Sequence, residues 1–237
     1  MARNLILTGG IRHSFADAAP ALARILDGVG IRSEITTDIE GGAARLAGEA
    51  FDLVTVYALR WRMLGDEKYA PHRAEWAFSP SPVMRRALSD HVGNGGGLLG
   101  LHTAALCFDD WPEWRDLLGG IWVWGQSFHP PRGPVAARPT DRAHPITSGL
   151  TAFESVDEVY SNLTLAADVV PLMMAHANAD DAQDWPILWA RKVGCGRAVF
   201  DALGHDRAAL EHPVHRRVLA RAALWALGRP DGAVSSA

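Results

Sequence analysis

The sequence predicts an α/β protein in which a mostly parallel β-sheet is covered by helices on both faces. Two observations carry this. Short apolar runs alternate with stretches of helical spacing through the first half of the chain. The runs have the length of strands and sit between turn signals, as strands buried under helices do. At 237 residues and 48% hydrophobic, the chain suffices for one well-buried unit, read as a single domain over residues 1–237. Residues 229–237, ending in the small polar stretch DGAVSSA, are expected to fray. No internal repeat or low-complexity linker divides the chain.

Residues 4–8 (NLILT) are the first strand, and residues 20–29 (PALARILDGV) a helix stopped by Gly28 and Gly30. A second strand over 32–36, a short helix over 42–49 and a strand over 51–57 (FDLVTVY) follow. Residues 81–93 read as a helix with Ser81 as N-cap, Pro82 in the first turn and Gly93 as stop. Residues 97–101 form a buried strand, followed by a helix from about Thr103. In the second half, residues 111–120 are a short helix, and the Trp-, Pro- and Gly-rich stretch 121–140 is a long loop or a small strand pair. A turn at 145–149, strands at 157–162 and 169–175, and a hairpin from 186–192 into 197–203 lead to a final helix over 212–227. That helix has Pro213 in its first turn and Gly228 as its stop.

Composition narrows the function. The net charge is −4 with no long basic run, which favours neither nucleic acid nor an anionic membrane. No apolar run approaches the roughly 20 residues of a spanning helix, and the N-terminus reads as a strand rather than a signal peptide. Only Cys107 and Cys195 are present, which fits a reducing cytoplasm rather than a disulfide framework. Cys107 is expected to pack in a helix and Cys195 to sit in a turn, neither in the setting of an activated thiol. The segment 111–124 holds four of the nine tryptophans and offers either a homo-oligomer surface or the rim of a carbohydrate site.

Histidines follow the strands. His13 comes after the first, His102 ends GGLLGL, and His205 follows RAVFDALG, while Arg60 follows FDLVTVY. In open α/β sheets ligands bind outside the carboxyl ends of the strands, so these four residues should converge on one cleft. His102 occupies a strand–turn–helix position where such folds often carry a Ser or Cys nucleophile. A following helix N-terminus would disfavour its protonation, and neutral imidazole can serve as general base, oxyanion donor or metal ligand. His129 lies in the irregular stretch QSFHPP. In DEVY, strand alternation would put Glu158 and Tyr160 on one face, where a carboxylate and a phenol bind hydroxyls or move protons. Asp206 either orients His205 or caps the next helix. His144 is read as a structural turn residue, and His212 and His215 as surface residues. No HExxH or CxxC supports a dedicated zinc site, and the sequence requires no cofactor, although a divalent ion such as zinc is compatible with the scattered histidines. The glycines at 95–97 precede a strand and so make no phosphate loop.

LTGGIRHSF, GGGLLGLHTA, WRDLLGG followed by SFHP, HPITSGL, DEVY and GRAVFDALGHD occur in this order across nearly the whole chain. In that order and spacing the sequence resembles the ThuA-like (trehalose-utilisation) proteins. The resemblance implies a doubly wound, flavodoxin-like fold of the class I glutamine amidotransferase type. Amidotransferases carry a Cys at the turn held here by His102, paired with a late His and a carboxylate; here GHD (His205, Asp206) falls at the late motif. Without that Cys the thioester route to ammonia is closed. The resemblance implies instead disaccharide or oxidised-sugar catabolism. The expected enzyme is a hydrolase or isomerase of a disaccharide or keto-sugar, with His102, His205 and Glu158 as acid/base or ligand groups. His13, Arg60, His129, Tyr160 and Asp206 would bind substrate. A non-catalytic sugar-binding or regulatory module is the alternative.

Overall fold

The computed structural model describes residues 1–177 and 183–237. In chain order the elements begin with β1 (Ala2–Gly10), α1 (Phe15–Asp27), β2 (Ile31–Thr36), α2 (Ile39–Ala44) and β3 (Leu53–Leu59). They continue with α3 (Arg73–Trp76), α4 (Pro82–Gly93), β4 (Gly97–Leu101), α5 (Glu113–Leu118), β5 (Gly120–Ile121) and β6 (Gly133–Pro139). The remainder are β7 (Phe153–Asp157), β8 (Thr164–Leu165), β9 (Pro171–Ala177), β10 (Trp185–Val193), β11 (Gly196–Asp201), α6 (Arg207–Glu211), α7 (Pro213–Ala226) and α8 (Asp231–Ser235).

Nine strands form one sheet in the order β2-β1-β3-β4-β11-β10-β9-β6-β7. From β2 to β11 neighbours run parallel; from β11 to β7 they run antiparallel. The sheet is therefore mixed, and its parallel half is the part most legible from sequence. Every residue of β3 and β4 is buried, which accounts for a run of Leu, Val, Tyr, Ala and Gly broken only by Thr55, whose hydroxyl donates to Asn4 Oδ1 at 3.0 Å. Trp189 and Phe200 stack at 4.5 Å between ring centres on β10 and β11 and join the two halves.

The parallel register places the site. Asp201 pairs with Leu101, so β4 and β11 end side by side. Gly10, at the end of β1, has φ of 132°, and a Cβ there would lie 2.3 Å from the Leu59 carbonyl oxygen. Only glycine allows β1 to leave so close to β3 and carry His13 across the sheet edge.

Several expectations shift. Helix α1 starts at Phe15, ahead of Pro20, because Phe15, Ala18 and Ala19 bury against the core and outweigh one lost hydrogen bond. No α-helix starts at Thr103; residues His102–Leu106 make a short 3-10 helix, and the next α-helix is α5. The strand expected at 157–162 does not form: β7 ends at Asp157, and the segment after it is irregular apart from a single bridge between Ser161 and Phe128. Residues 121–140 are mostly loop, with β6 joining the main sheet. Ser81 does cap α4, accepting from the Met84 amide at 3.2 Å.

The end of the chain is ordered rather than frayed. Helix α8 buries Val234, and the buried Arg221 of α7 donates to the carbonyls of Ala237 at 2.9 Å and Ser148 at 2.7 Å. Among the described residues, no helix is long and apolar enough to cross a membrane.

His215 is buried, against the surface position expected for it, whereas His212 is half-exposed and stacks on Phe153. The helical spacing of the two residues hid a polar partner inside. His215 Nε2 meets Asp201 Oδ2 at 2.9 Å and Nδ1 meets the Ala209 carbonyl at 2.8 Å. Burial works against its charge, but Asp201 and that carbonyl raise its pKa above the usual imidazole value. Its stabilising contribution is full below about pH 6.5 and is lost as pH rises through the raised folded-state pKa. Thermal unfolding from about pH 6 to pH 9 should show the advantage of wild type over His215→Gln shrinking with pH. An advantage that grows with pH would contradict the charged pair.

Candidate functional site

His102 is the first residue after β4. Its φ is 46°, a left-handed value rarely adopted by a residue with a Cβ, and it is fully buried. This is the backbone geometry of a nucleophile elbow with an imidazole in place of the nucleophile. Its Nδ1 lies 2.7 Å from the Ala202 carbonyl, just beyond β11. A carbonyl only accepts, so Nδ1 carries a proton and Nε2 faces the site.

Around Nε2 stand His13 Nε2 at 3.1 Å, the Tyr160 hydroxyl at 3.1 Å and Glu158 Oε2 at 3.5 Å. Tyr160 also stacks on the His102 ring, with 4.6 Å between centres. His205 brings Nδ1 within 3.4 Å of Glu158 Oε2, and His129 Nδ1 lies 3.7 Å from Oε1. The His13 ring is 4.4 Å from that of His205. One carboxylate thus faces three imidazoles, supplied by the loops after β4, β7 and β11 and by the loop before β6.

The charges follow from these contacts. Burial would raise the pKa of Glu158, but His102 and His205 hold it far below the usual carboxylate range, so the group is ionised. Burial works against protonating His102, yet Glu158, Asp157 and the Ala202 carbonyl together raise its pKa. The neutral imidazole expected from a helix dipole is therefore corrected. The segment after His102 is only a short 3-10 helix, and the carboxylate beside it is the stronger field. Burial and the neighbouring imidazoles push His13 down to about 3. Burial, with Glu158 and Asp157 nearby, holds the Tyr160 phenol well above its usual value.

Asp157 builds this arrangement. It is buried, and its carboxylate accepts from the amides of Glu158 at 2.8 Å, Gly204 at 2.7 Å and His205 at 3.2 Å. Gly204, with φ of 114°, makes the reversal that presents His205.

Six expected residues converge: His13, His102, His129, Glu158, Tyr160 and His205. Glu158 and Tyr160 do so from an irregular segment rather than from a strand face. Arg60 does not join them. Its guanidinium lies over the Trp76 ring, 5.0 Å from the centre, and donates to the Trp76 carbonyl at 3.5 Å. Asp206 is occupied as the cap of α6, accepting from Ala209 N at 2.9 Å, and pairs with Arg132 at 2.6 Å. The carboxylate beside His205 is Glu158. His144 is a turn residue as expected, its Nδ1 accepting from Ile146 N at 3.3 Å. The sequence reading gave Asp157 no role, although it adjoins Glu158 in DEVY, and it missed the contact of Trp122 with Tyr160 at 5.5 Å. His13, His102, Glu158 and His205 each offer one possible ligand atom, all within 4.8 Å of one another.

A mixed α/β sheet whose elbow after β4 carries an imidazole, with the GHD motif after β11 brought beside it, defines the class of protein by its fold and site. Residues 3–226 match the ThuA family, described as trehalose utilisation, and the chain belongs to that family. It is similar to a ThuA-like protein of Parabacteroides merdae, with TM-score 0.76 and 19% identity over 96% of this chain and 91% of that one. A ThuA-like protein of Bacteroides uniformis gives TM-score 0.63 and 19% identity over 95% and 91%. A cytoplasmic protein of Salmonella typhimurium gives TM-score 0.60 and 13% identity over 92% and 96%. Among curated protein sequences none matches this chain.

Removing the Asp157 carboxylate leaves three buried amides short of an acceptor. Asp157→Ala should lower unfolding free energy by about 3 kcal/mol in urea. It should also speed amide hydrogen exchange at Gly204 and His205. Unchanged protection there would show that the loop is held by something else.

Proposed function

We propose that the chain is an enzyme of carbohydrate breakdown that binds a disaccharide or keto-sugar at the imidazole–carboxylate cluster. It moves protons at a sugar oxygen or carbon, as hydrolysis or isomerisation through an enediol requires. The observation that carries this is the ionised Glu158 carboxylate facing His102, His129 and His205, with the Tyr160 phenol beside it. Such groups donate to and accept from hydroxyls and carbonyls. His102, Glu158 and His205 would meet the reacting atoms, and His13, His129 and Tyr160 would orient the ring. The family's description as trehalose utilisation supports a disaccharide of that kind. The doubly wound arrangement belongs to the same proposal, supported by the packing of α1 with α6 and α7 and of α2 with α4.

A sugar platform lies close by. Trp122 and Trp124 are half-buried and line a cavity of about 430 Å³ with Leu106, Trp111, Arg62 and Asp109. Trp122 links this cavity to the cluster through Tyr160 and through His129, 5.8 Å away. Trp111 and Trp114 are buried in the core, so the tryptophan-rich segment reads as a substrate rim rather than a homo-oligomer surface. Aromatic faces with flanking polar groups suit sugar rings.

Glutaminase chemistry is no part of the proposal. The elbow holds no thiol, and Cys107 is buried, donates to the Ala58 carbonyl at 3.0 Å and has its pKa pushed up to about 12 by burial. Trehalose, other disaccharides and their 3-keto forms, followed by chromatography with mass detection, should reveal a converted sugar. Asparagine tolerates the left-handed backbone at position 102. His102→Asn should therefore fold normally yet lose about 10²- to 10⁴-fold in turnover. A fully active His102→Asn would overturn the assignment. Trp122→Ala should raise KM about tenfold with kcat little changed. Glutamine should yield no ammonia with the wild type.

A further inference from the structure

We infer that His13, His102, Glu158 and His205 together bind one first-row divalent cation, zinc. This rests on the same site as the proposed sugar chemistry but not on its reaction. The first support is the shortage of donors. His102 Nδ1 faces the Ala202 carbonyl at 2.7 Å, and His13 Nδ1 faces the Ile11 carbonyl at 3.4 Å. Both nitrogens must therefore carry protons, and both Nε2 atoms turn inward, 3.1 Å apart. A proton on His102 Nε2 can point at only one of its three neighbours: His13 Nε2, Glu158 Oε2 or the Tyr160 oxygen. The buried Nδ1 of His205 stands 3.4 Å from Glu158 Oε2 but makes no well-formed hydrogen bond. A cation at the common point satisfies two imidazole lone pairs, the carboxylate and that orphaned nitrogen at once.

The spacing fits. Bonds of about 2.0–2.1 Å from zinc to nitrogen and oxygen put tetrahedral ligands about 3.3 Å apart. Three of the six separations are 3.1 Å between His102 and His13, 3.5 Å between His102 and Glu158, and 3.4 Å between His205 and Glu158, and all four ligand atoms lie within 4.8 Å of one another, a spread that bound zinc would draw in. Three imidazoles and one carboxylate, without thiolate, form a borderline donor set suited to zinc rather than magnesium or calcium. The carbonyls behind His102 and His13 are the outer partners that fix a ligating imidazole's tautomer. Charge agrees as well. Among the described residues, the side chains within 4 Å of the Glu158 carboxylate that could balance its charge are all imidazoles, with no Lys or Arg among them, and Asp157 beside it is held by backbone amides. When bound, the ion supplies Lewis-acid polarisation of a carbonyl or hydroxyl oxygen.

The test uses the full chain, purified without a histidine tag or nickel column. Metal analysis after dialysis should find about one zinc per chain. Zinc added to chelator-stripped protein should raise its melting temperature by several degrees. His205→Gln and Glu158→Gln should each cut retained zinc at least tenfold and abolish the thermal shift. Far-UV circular dichroism checks that the variants fold, and His13→Gln is a third variant with the same expectation. Absence of stoichiometric metal, with no thermal shift on adding zinc, cobalt or manganese, overturns the inference. Zinc retained undiminished in the folded variants also overturns it, because the ion then sits elsewhere. Sugar turnover by a chain that binds no metal removes the metal and leaves the sugar chemistry standing. A zinc-loaded chain that leaves every sugar unchanged does the reverse.

Discussion

The site depends on one buried carboxylate. Asp157 ends β7 in the antiparallel half of the sheet, yet its oxygens take the amides of Gly204 and His205, which follow β11 in the parallel half. That tie brings Glu158, the next residue, against His205 and the elbow histidine. A buried carboxylate without a cationic side chain is costly unless its lone pairs are filled, and three backbone amides fill them here. The second strut is the Asp201–His215 pair at the end of β11, which fixes the start of the same loop from the helix side.

Given that frame, the chemistry is set by the residue at the elbow. A left-handed backbone position after a parallel strand holds a side chain rigidly at the sheet edge, whatever that side chain is. With His102 there, the position gives no acyl-enzyme. It gives a fixed nitrogen pointed at other nitrogens and a carboxylate, an arrangement that demands positive charge among electron-rich atoms. Fold and reaction part company at this residue, and the α/β scaffold by itself says little about turnover.

Much of this was legible in the sequence because it is local. The apolar runs at 97–101 and 197–203 mark strands, and in a parallel sheet the residues after them must meet. That logic places His13, His102 and His205 correctly. It fails for Arg60, which obeys the same rule but is drawn onto Trp76 and Phe78 by cation–π contact and burial. It also fails for Asp206, because an Asp three residues before a free helix amide is captured as a cap. His215 was misplaced because helical spacing does not reveal a buried partner on a strand fourteen residues away. The antiparallel half, with its loops and bulged pairing between β9 and β10, gave the weakest periodic signal and the least accurate boundaries.

The central claim is that four side chains from separate loops share one point. Anomalous diffraction at the zinc edge, from crystals of tag-free protein, tests it most directly. The account predicts a single strong peak bounded by the Nε2 atoms of His13 and His102, Nδ1 of His205 and the Glu158 carboxylate. A peak at another cluster such as His176 and Asp184, or well-ordered imidazoles turned away from an empty centre in zinc-soaked crystals, would contradict it.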